Sequence, residues 1–368
     1  MKILVINCGS SSIKYALVNI RKSEIIVRGA IEKVGIDVRS YEVGLEIILD
    51  RLMQRPDAII KNGKELLAVG HRVVHGGEKF TQAVLINEQI IKNIRNHFEL
   101  APLHNPPNLM GIEAAKKLLA DTPQVAVFDT AFHQTMPACA YLYALPYRFY
   151  EQYGIRRYGF HGTSHKYVAL EASKILNRPL KKLNLITCHL GNGCSLTAIK
   201  KGKSIDTSMG FTPLEGLVMG TRCGDIDPAI VFYLMKKEGL APEEISELLN
   251  KKSGLLGLSD ISSDMRDILR ASNKKNPRAK ITLEIFIYRL KKYIGAYIAA
   301  MNGIDALVFT GGIGENAELI RKRIETEISY LLKDARILVI PTNEELMIAQ
   351  ETAEVIKKAG GKEKGKNT

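Results

Sequence analysis

Short runs of β-branched and aliphatic residues alternate along this chain with longer stretches whose apolar positions recur at helical spacing. That alternation marks α/β layering. Residues 2–7 read Lys-Ile-Leu-Val-Ile-Asn, an apolar run closed by polar residues, and predict a strand buried on both faces. Residues 13–19 predict a second strand, reached through a Gly/Ser turn, and residues 124–129 a third that ends in a carboxylate. Helical spacing covers residues 41–53, 90–100, 109–119, 241–249, 281–301 and 344–358, with a further strand at 305–310.

The opening layout then returns. Residues 183–189 form a strand pattern, Gly191-Asn192-Gly193-Cys194-Ser195 a turn, and residues 196–200 a strand, as in residues 5–18. Two such units predict a duplicated core, one copy per domain, and 368 residues is a two-domain length. The tail, residues 357–368, holds five lysines, one glutamate and two adjacent glycines, and predicts a frayed, solvated end.

Composition narrows the function classes. With 46% hydrophobic and 25% charged residues, the chain is neither disordered nor a fibrous repeat. A net charge of +13 suits nucleic acid, an anionic membrane or small anions. Nucleic-acid binding calls for a basic stripe interleaved with aromatics, whereas the lysine pairs at 181–182, 200–201, 236–237, 251–252 and 274–275 are scattered, so no nucleic-acid partner is expected. No apolar stretch reaches the length of a membrane span, and the run before Asn7 is too short for a secretory signal, so no membrane partner and a cytoplasmic location are expected. Five cysteines, odd in number and far apart with no paired spacing, predict free thiols.

Three glycine-bearing turns follow strands. Asn7-Cys8-Gly9-Ser10-Ser11-Ser12-Ile13-Lys14 presents backbone N–H groups, hydroxyls and one cation, which suits phosphate; an ordinary hairpin explains a single copy equally well. The second copy at 191–195 and a third at Gly311-Gly312-Ile313-Gly314-Glu315-Asn316, with a helix predicted from Ala317, favour a nucleotide. None is a Walker loop or a dinucleotide fingerprint. Six of the eight histidines (His71, His75, His133, His161, His165, His189) fall in segments dense in Arg, Gly and aromatics or beside the second glycine turn, without the spacing of a zinc site.

Ten ordered stretches (5–14, 69–80, 102–108, 125–137, 153–165, 189–196, 206–228, 262–267, 307–316, 339–349), among them Arg-Arg-Tyr-Gly-Phe-His-Gly-Thr-Ser-His at 156–165, resemble the acetokinase family of the actin/hexokinase-like ATPase superfamily. The resemblance implies an α/β, two-domain, duplicated ribonuclease H-like fold with an interdomain cleft. Its N-terminal domain would hold residues 1–133 plus 347–368, and its nucleotide-binding C-terminal domain residues 134–346. It also implies a homodimer and reversible transfer of the ATP γ-phosphoryl to acetate, giving acetyl phosphate and ADP, with Mg²⁺ (Mn²⁺ as a substitute). A carboxylate is already ionised at neutral pH and needs no base, so such a site supplies alignment and charge neutralisation.

Residue by residue, Asp129, Arg72, His161 and Arg222 match the catalytic positions. Arg72 also matches the acetate site, with Val74, Leu103, Phe160 and Pro213 against the methyl group. Asn7 and Glu344 match the metal positions, with Asp129 matching a further Mg²⁺-associated carboxylate. For the nucleotide, the matches are Ser10, Ser12 and Lys14; His189, Leu190, Gly191, Asn192 and Gly193; Asp264, Met265 and Arg266; and Gly312, Ile313, Gly314, Glu315 and Asn316.

The chain departs from the family at Cys8, where Ala is expected, and at Cys223, where Ser is usual and a thiol beside Arg222 could sense oxidation. Residues 325–340 and 35–42 read as shortened. The alternatives are a propionate or butyrate kinase, since one methylene is a soft distinction, a sugar kinase of the same superfamily, and a basic nucleic-acid-binding module. Alanine at Arg72 or Arg222 is expected to cost catalysis far more than stability.

Overall fold

The computed structural model describes residues 1–53 and 58–364. The chain divides into two compact units, Met1–Gln134 with Asn343–Thr368, and Thr135–Thr342.

The first unit is built on a sheet of β1 (Lys2–Cys8), β2 (Ser12–Asn19), β3 (Glu24–Glu32), β4 (Leu66–Val73), β5 (Val84–Leu85) and β6 (Gln124–Phe128), in the order β3-β2-β1-β4-β6-β5. β1 runs antiparallel to β2 and parallel to β4, which is parallel to β6. Parallel strands end together, so Asn7, Arg72 and the residue after β6, Asp129, share one end of the sheet. One face packs Leu4, Ile6, Ile13 and Leu17 with Leu45, Ile48 and Leu52 of helix Tyr41–Met53. The other carries helix Glu344–Lys364, which lies so close to β4 that a Cβ on Gly70 would come 2.4 Å from Thr352 Oγ1. Cover on both faces accounts for the unbroken apolar run in β1.

The second unit repeats this plan with β7 (Asn184–Leu190), β8 (Cys194–Lys200), β9 (Lys203–Thr207), β10 (Ala306–Thr310) and β11 (Arg336–Val339) in the order β11-β10-β7-β8-β9. Its pairing directions match those of β6-β4-β1-β2-β3 strand for strand. The duplicated α/β layout expected from the two strand–turn–strand units is therefore observed. Helix Pro277–Met301 packs on β7 and β8; it starts where Asn276 Oδ1 accepts from Ala279 N at 3.0 Å, with proline at the first helical position.

Several elements differ from the sequence pattern. The third glycine stretch is itself a helix, Gly311–Asn316, rather than a turn; the helix expected from Ala317 follows it as Glu318–Glu327, with Ala317 as its N-cap. Glu315 Oε1 reaches back to accept from Gly311 N at 2.9 Å, satisfying the first donor of the turn. Helix Asn105–Leu118 starts a turn before residue 109 because Pro106 and Pro107 suit a first turn, where their missing donors cost nothing. The C-terminal helix continues through Lys364, and residues 365–368 of the expected frayed tail lie outside the described residues. Among the described residues, all five cysteines are free and no helix is long and apolar enough to cross a membrane.

Candidate active site

At the strand ends of the first unit, Arg72 donates from Nε to Asp129 Oδ1 at 3.1 Å and from Nη2 to Oδ2 at 2.5 Å, and from Nη1 to Asn7 Oδ1 at 3.4 Å. Glu344, on the first turn of the C-terminal helix, lies 3.9 Å from Arg72 Nε. Burial opposes the charge on Arg72, but Asp129 and Glu344 outweigh it and hold its pKa above the ordinary value. Burial raises the Glu344 carboxyl; Arg72 pulls it back, while Asp129 pushes it further up. Four sequence-predicted residues thus meet, and the side-chain oxygens of Asn7, Asp129 and Glu344 are all hard donors. Lys14, exposed on β2, stands opposite Asn7 across the hairpin, whose turn is closed by Gly9 N donating to Ser12 O at 2.8 Å.

The segment after β4 has left the sheet and needs other partners. Val74 N donates to Asn108 Oδ1 and His75 N to Asn105 Oδ1, both at 3.0 Å, and Gly76 N to Thr130 Oγ1 at 3.1 Å. Asn108 Nδ2 also donates to Cys8 O at 2.7 Å, tying β1 to the same helix. The His-Asn-Pro-Pro-Asn stretch was matched to the family without a role; its two buried asparagines set the backbone beside Arg72. His71 and His75, singled out as candidates for chemistry, are structural. Burial lowers their pKa values to about 4 and about 3, and His71 Nε2 pairs with Gln124 Oε1 at 2.8 Å. Cys8 fits because its sulfur lies against Gly111, where a Cβ would come within 2.3 Å of it.

In the second unit, the β7–β8 turn gathers His189, Gly191, Asn192 and Gly193. His161, in the left-handed conformation (φ 56°) at the start of helix Gly162–Ile175, stacks on His189 with centroids 4.3 Å apart. His161 Nδ1 lies 2.8 Å from Ser195 Oγ, and His189 Nδ1 2.8 Å from Ser164 Oγ. A Cβ on Gly193 would sit 3.3 Å from His161 Nε2 and 3.5 Å from Arg222 Nη1, so glycine there keeps open the space on which both groups converge. Gly220 N donates to Asn192 O at 2.9 Å, joining the Arg222 segment to the turn. Arg222 makes no carboxylate pair among the described residues, and burial lowers its pKa. Burial also raises the half-buried Cys223 thiol, whose Sγ donates to Gly224 O at 3.1 Å; that does not favour the thiolate an oxidation sensor needs.

Next to these lies a cavity of about 580 Å³ lined by Gly191, Asn192, Asp264, Met265, Arg266, Gly312, Ile313 and Asn316, together with Ser263, Leu269 and Ala317, which sequence reasoning missed. Ser263 and Ala317 adjoin predicted residues; Leu269 follows Met265 by one helical turn and had no signal of its own. Asp264 caps helix Met265–Asn273 and is gripped by Arg266, which holds its carboxyl down at about 2. Gly311 is required by its backbone: its φ is 78°, and a Cβ would meet Leu190 O at 2.7 Å. Of the residues matched to the acetate methyl group, Val74 and Phe160 are buried, Pro213 is half-buried and Leu103 is 64% exposed.

The description "Acetokinase family" matches residues 2–39 and 34–334. These stretches end inside the two regions that read as shortened. A protein of Carboxydothermus hydrogenoformans named acetate kinase is 52% identical over 396 aligned positions, covering 97% of this chain and 99% of its own length. An acetate kinase of Halothermothrix orenii is 53% identical, covering 97% and 100%. Among solved structures, Porphyromonas gingivalis acetate kinase aligns with a TM-score of 0.93 at 44% identity, covering 96% of this chain and 99% of that one. A propionate kinase from Francisella tularensis aligns at 0.89 and 45% identity, covering 95% and 98%.

Proposed function

This chain belongs to the acetokinase family, and on that premise we propose that it transfers the γ-phosphoryl of ATP to acetate, reversibly, giving acetyl phosphate and ADP by direct in-line displacement. The relatives' names supply acetate as acceptor. The observation that most supports the reading is local: residues assigned to phosphoryl transfer from four separate stretches lie together, Asn7, Arg72 and Asp129 at the ends of neighbouring strands and Glu344 on the helix start 3.9 Å from Arg72.

The acetate oxygen attacks as an ionised carboxylate, so the protein's work is to align it and to neutralise charge on the transferring group. Arg72 and Arg222 offer forked donors for the equatorial oxygens, and His161 adds a third donor. The cavity beside Gly191 and Asp264 has the volume of a small-ligand pocket and takes the nucleotide. Val74, Leu103, Phe160 and Pro213 are the residues we assign to the methyl group.

Asn7, Asp129 and Glu344 would hold Mg²⁺. The donor set suits it: oxygen only, with two carboxylates near enough that one raises the pKa of the other, a repulsion that a cation relieves. When bound, the ion supplies positive charge to the phosphate oxygens.

Homodimerisation in the cytoplasm completes the proposal. Helix Ala229–Glu238 is apolar yet buries none of its residues, with Phe232 71% and Tyr233 63% exposed.

Propionate is the second reading, favoured by the Francisella neighbour. Release of ADP measured with acetate, propionate and butyrate decides between them. The highest kcat/KM is expected with acetate, and a clear preference for a longer acid would overturn that choice.

A further inference from the structure

Ser195 places one hydroxyl hydrogen between two histidines. Its Oγ lies 2.8 Å from His161 Nδ1 and 2.8 Å from His165 Nε2; beyond His165, Nδ1 lies 2.7 Å from Thr187 Oγ1. Ser195, His165 and Thr187 are fully buried, so the hydroxyls of Ser195 and Thr187 must find partners within the protein, and among the described residues the two histidines are those partners.

Two proton orders fit the geometry. In the first, Thr187 donates to His165 Nδ1, His165 Nε2 donates to Ser195, and Ser195 donates to His161 Nδ1. His161 then carries its proton on Nε2. In the second, every bond runs the other way, and Thr187 becomes an acceptor. Its own hydrogen is then buried, and His165 is the one hydrogen-bond partner of its hydroxyl among the described residues. An orphaned buried donor is costly, so the first order prevails.

We propose that Ser195, backed by His165 and Thr187, is a positioning residue that holds neutral His161 as the Nε2–H tautomer. The Nε2 edge faces the space beside Gly193 on which Arg222 Nη1 also converges, and stacking on His189 resists rotation of the ring. A hydrogen-bond donor is thereby fixed beside the guanidinium, ready for an oxyanion, at no reorganisation cost during reaction. The oxyanion's identity as a phosphoryl oxygen rests on the function proposed above; the tautomer does not.

¹⁵N-histidine NMR of the intact protein without nucleotide, at mildly alkaline pH, reads the tautomer, with His161→Gln assigning the signal. Wild type and Thr187→Ser, which keeps the hydroxyl, should show a protonated Nε2 and a bare Nδ1. Ser195→Ala and Thr187→Val should show a mixture of tautomers. Their kcat should fall by on the order of tenfold or more, with KM for ATP within about twofold of wild type. A bare Nε2 in wild type, or an unchanged tautomer in both Ser195→Ala and Thr187→Val, would overturn the proposal. If Ser195→Ala fails to fold, Thr187→Val decides. Absence of acetyl phosphate formation by wild type would instead defeat the proposed function, and the spectra would still settle the tautomer.

Discussion

Arg72 grips both oxygens of Asp129, at 3.1 and 2.5 Å, joining the ends of β4 and β6, and that carboxylate is 1% exposed. The pair joins two strands of the fold, so alanine at Arg72 should cost stability as well as the catalysis expected of it. Arg72→Ala removes the bidentate donor from a buried charge and should lower unfolding free energy by about 3 kcal/mol along with activity. Urea denaturation checks this; an unchanged midpoint would show that the pair contributes nothing to the fold.

Arg222 is the cleaner test. It pairs with no carboxylate among the described residues, and its one side-chain hydrogen-bond contact there is Met219 Sδ at 3.8 Å. Arg222→Ala should lower kcat by about 10²–10³ while shifting stability by less than about 0.5 kcal/mol. Equal losses in both measurements would remove Arg222 from the catalytic set.

Adjacent glycines should separate folding from binding. Gly311→Ala meets Leu190 O in a backbone of positive φ and should cost about 1–3 kcal/mol of stability. Gly312 has nothing within 4 Å of an added Cβ and lines the cavity, so Gly312→Ala should leave the melting temperature unchanged and raise KM for ATP. Calorimetry with steady-state kinetics distinguishes them; an unaltered KM in Gly312→Ala would argue against nucleotide in this cavity.

Acid should destabilise the protein through His71. Its folded pKa is depressed to about 4, so the unfolded chain takes up a proton near the ordinary 6.5 and the folded chain does not. The stability it contributes is full above that value and falls by about 1.4 kcal/mol per pH unit as pH drops towards 4. His71→Gln should flatten the pH dependence of the urea midpoint by that slope. An unchanged slope would mean that His71 ionises freely in the fold.

The sequence disclosed what periodicity and local motif can carry: the buried strands, the duplication, and the residues at the ends of β1, β4 and β6. β4 itself was hidden because Gly70, His71 and Arg72 interrupt its apolar run. Gly70 is there to admit Thr352, a contact 282 residues away along the chain that no local pattern reveals. The helix at Gly311 was hidden because its glycines read as a turn, while the Glu315 side chain that closes it acts only in three dimensions. Ser195 and Thr187 look like ordinary strand residues; their partner His165 becomes visible only when helix Gly162–Ile175 is laid beside β7 and β8. Leu103 matched a hydrophobic pocket by motif yet is largely exposed, because a motif fixes a residue's place in the chain and not its burial.

The central claim is phosphoryl transfer from ATP to acetate. It is tested most directly by incubating the protein with ATP, Mg²⁺ and acetate, and trapping acetyl phosphate as its hydroxamate. Hydroxamate should form in step with ADP, depend on acetate, and form about 10²–10³ times more slowly in Arg222→Ala. ATP hydrolysis without hydroxamate, or ADP release that does not depend on acetate, would contradict phosphoryl transfer to acetate.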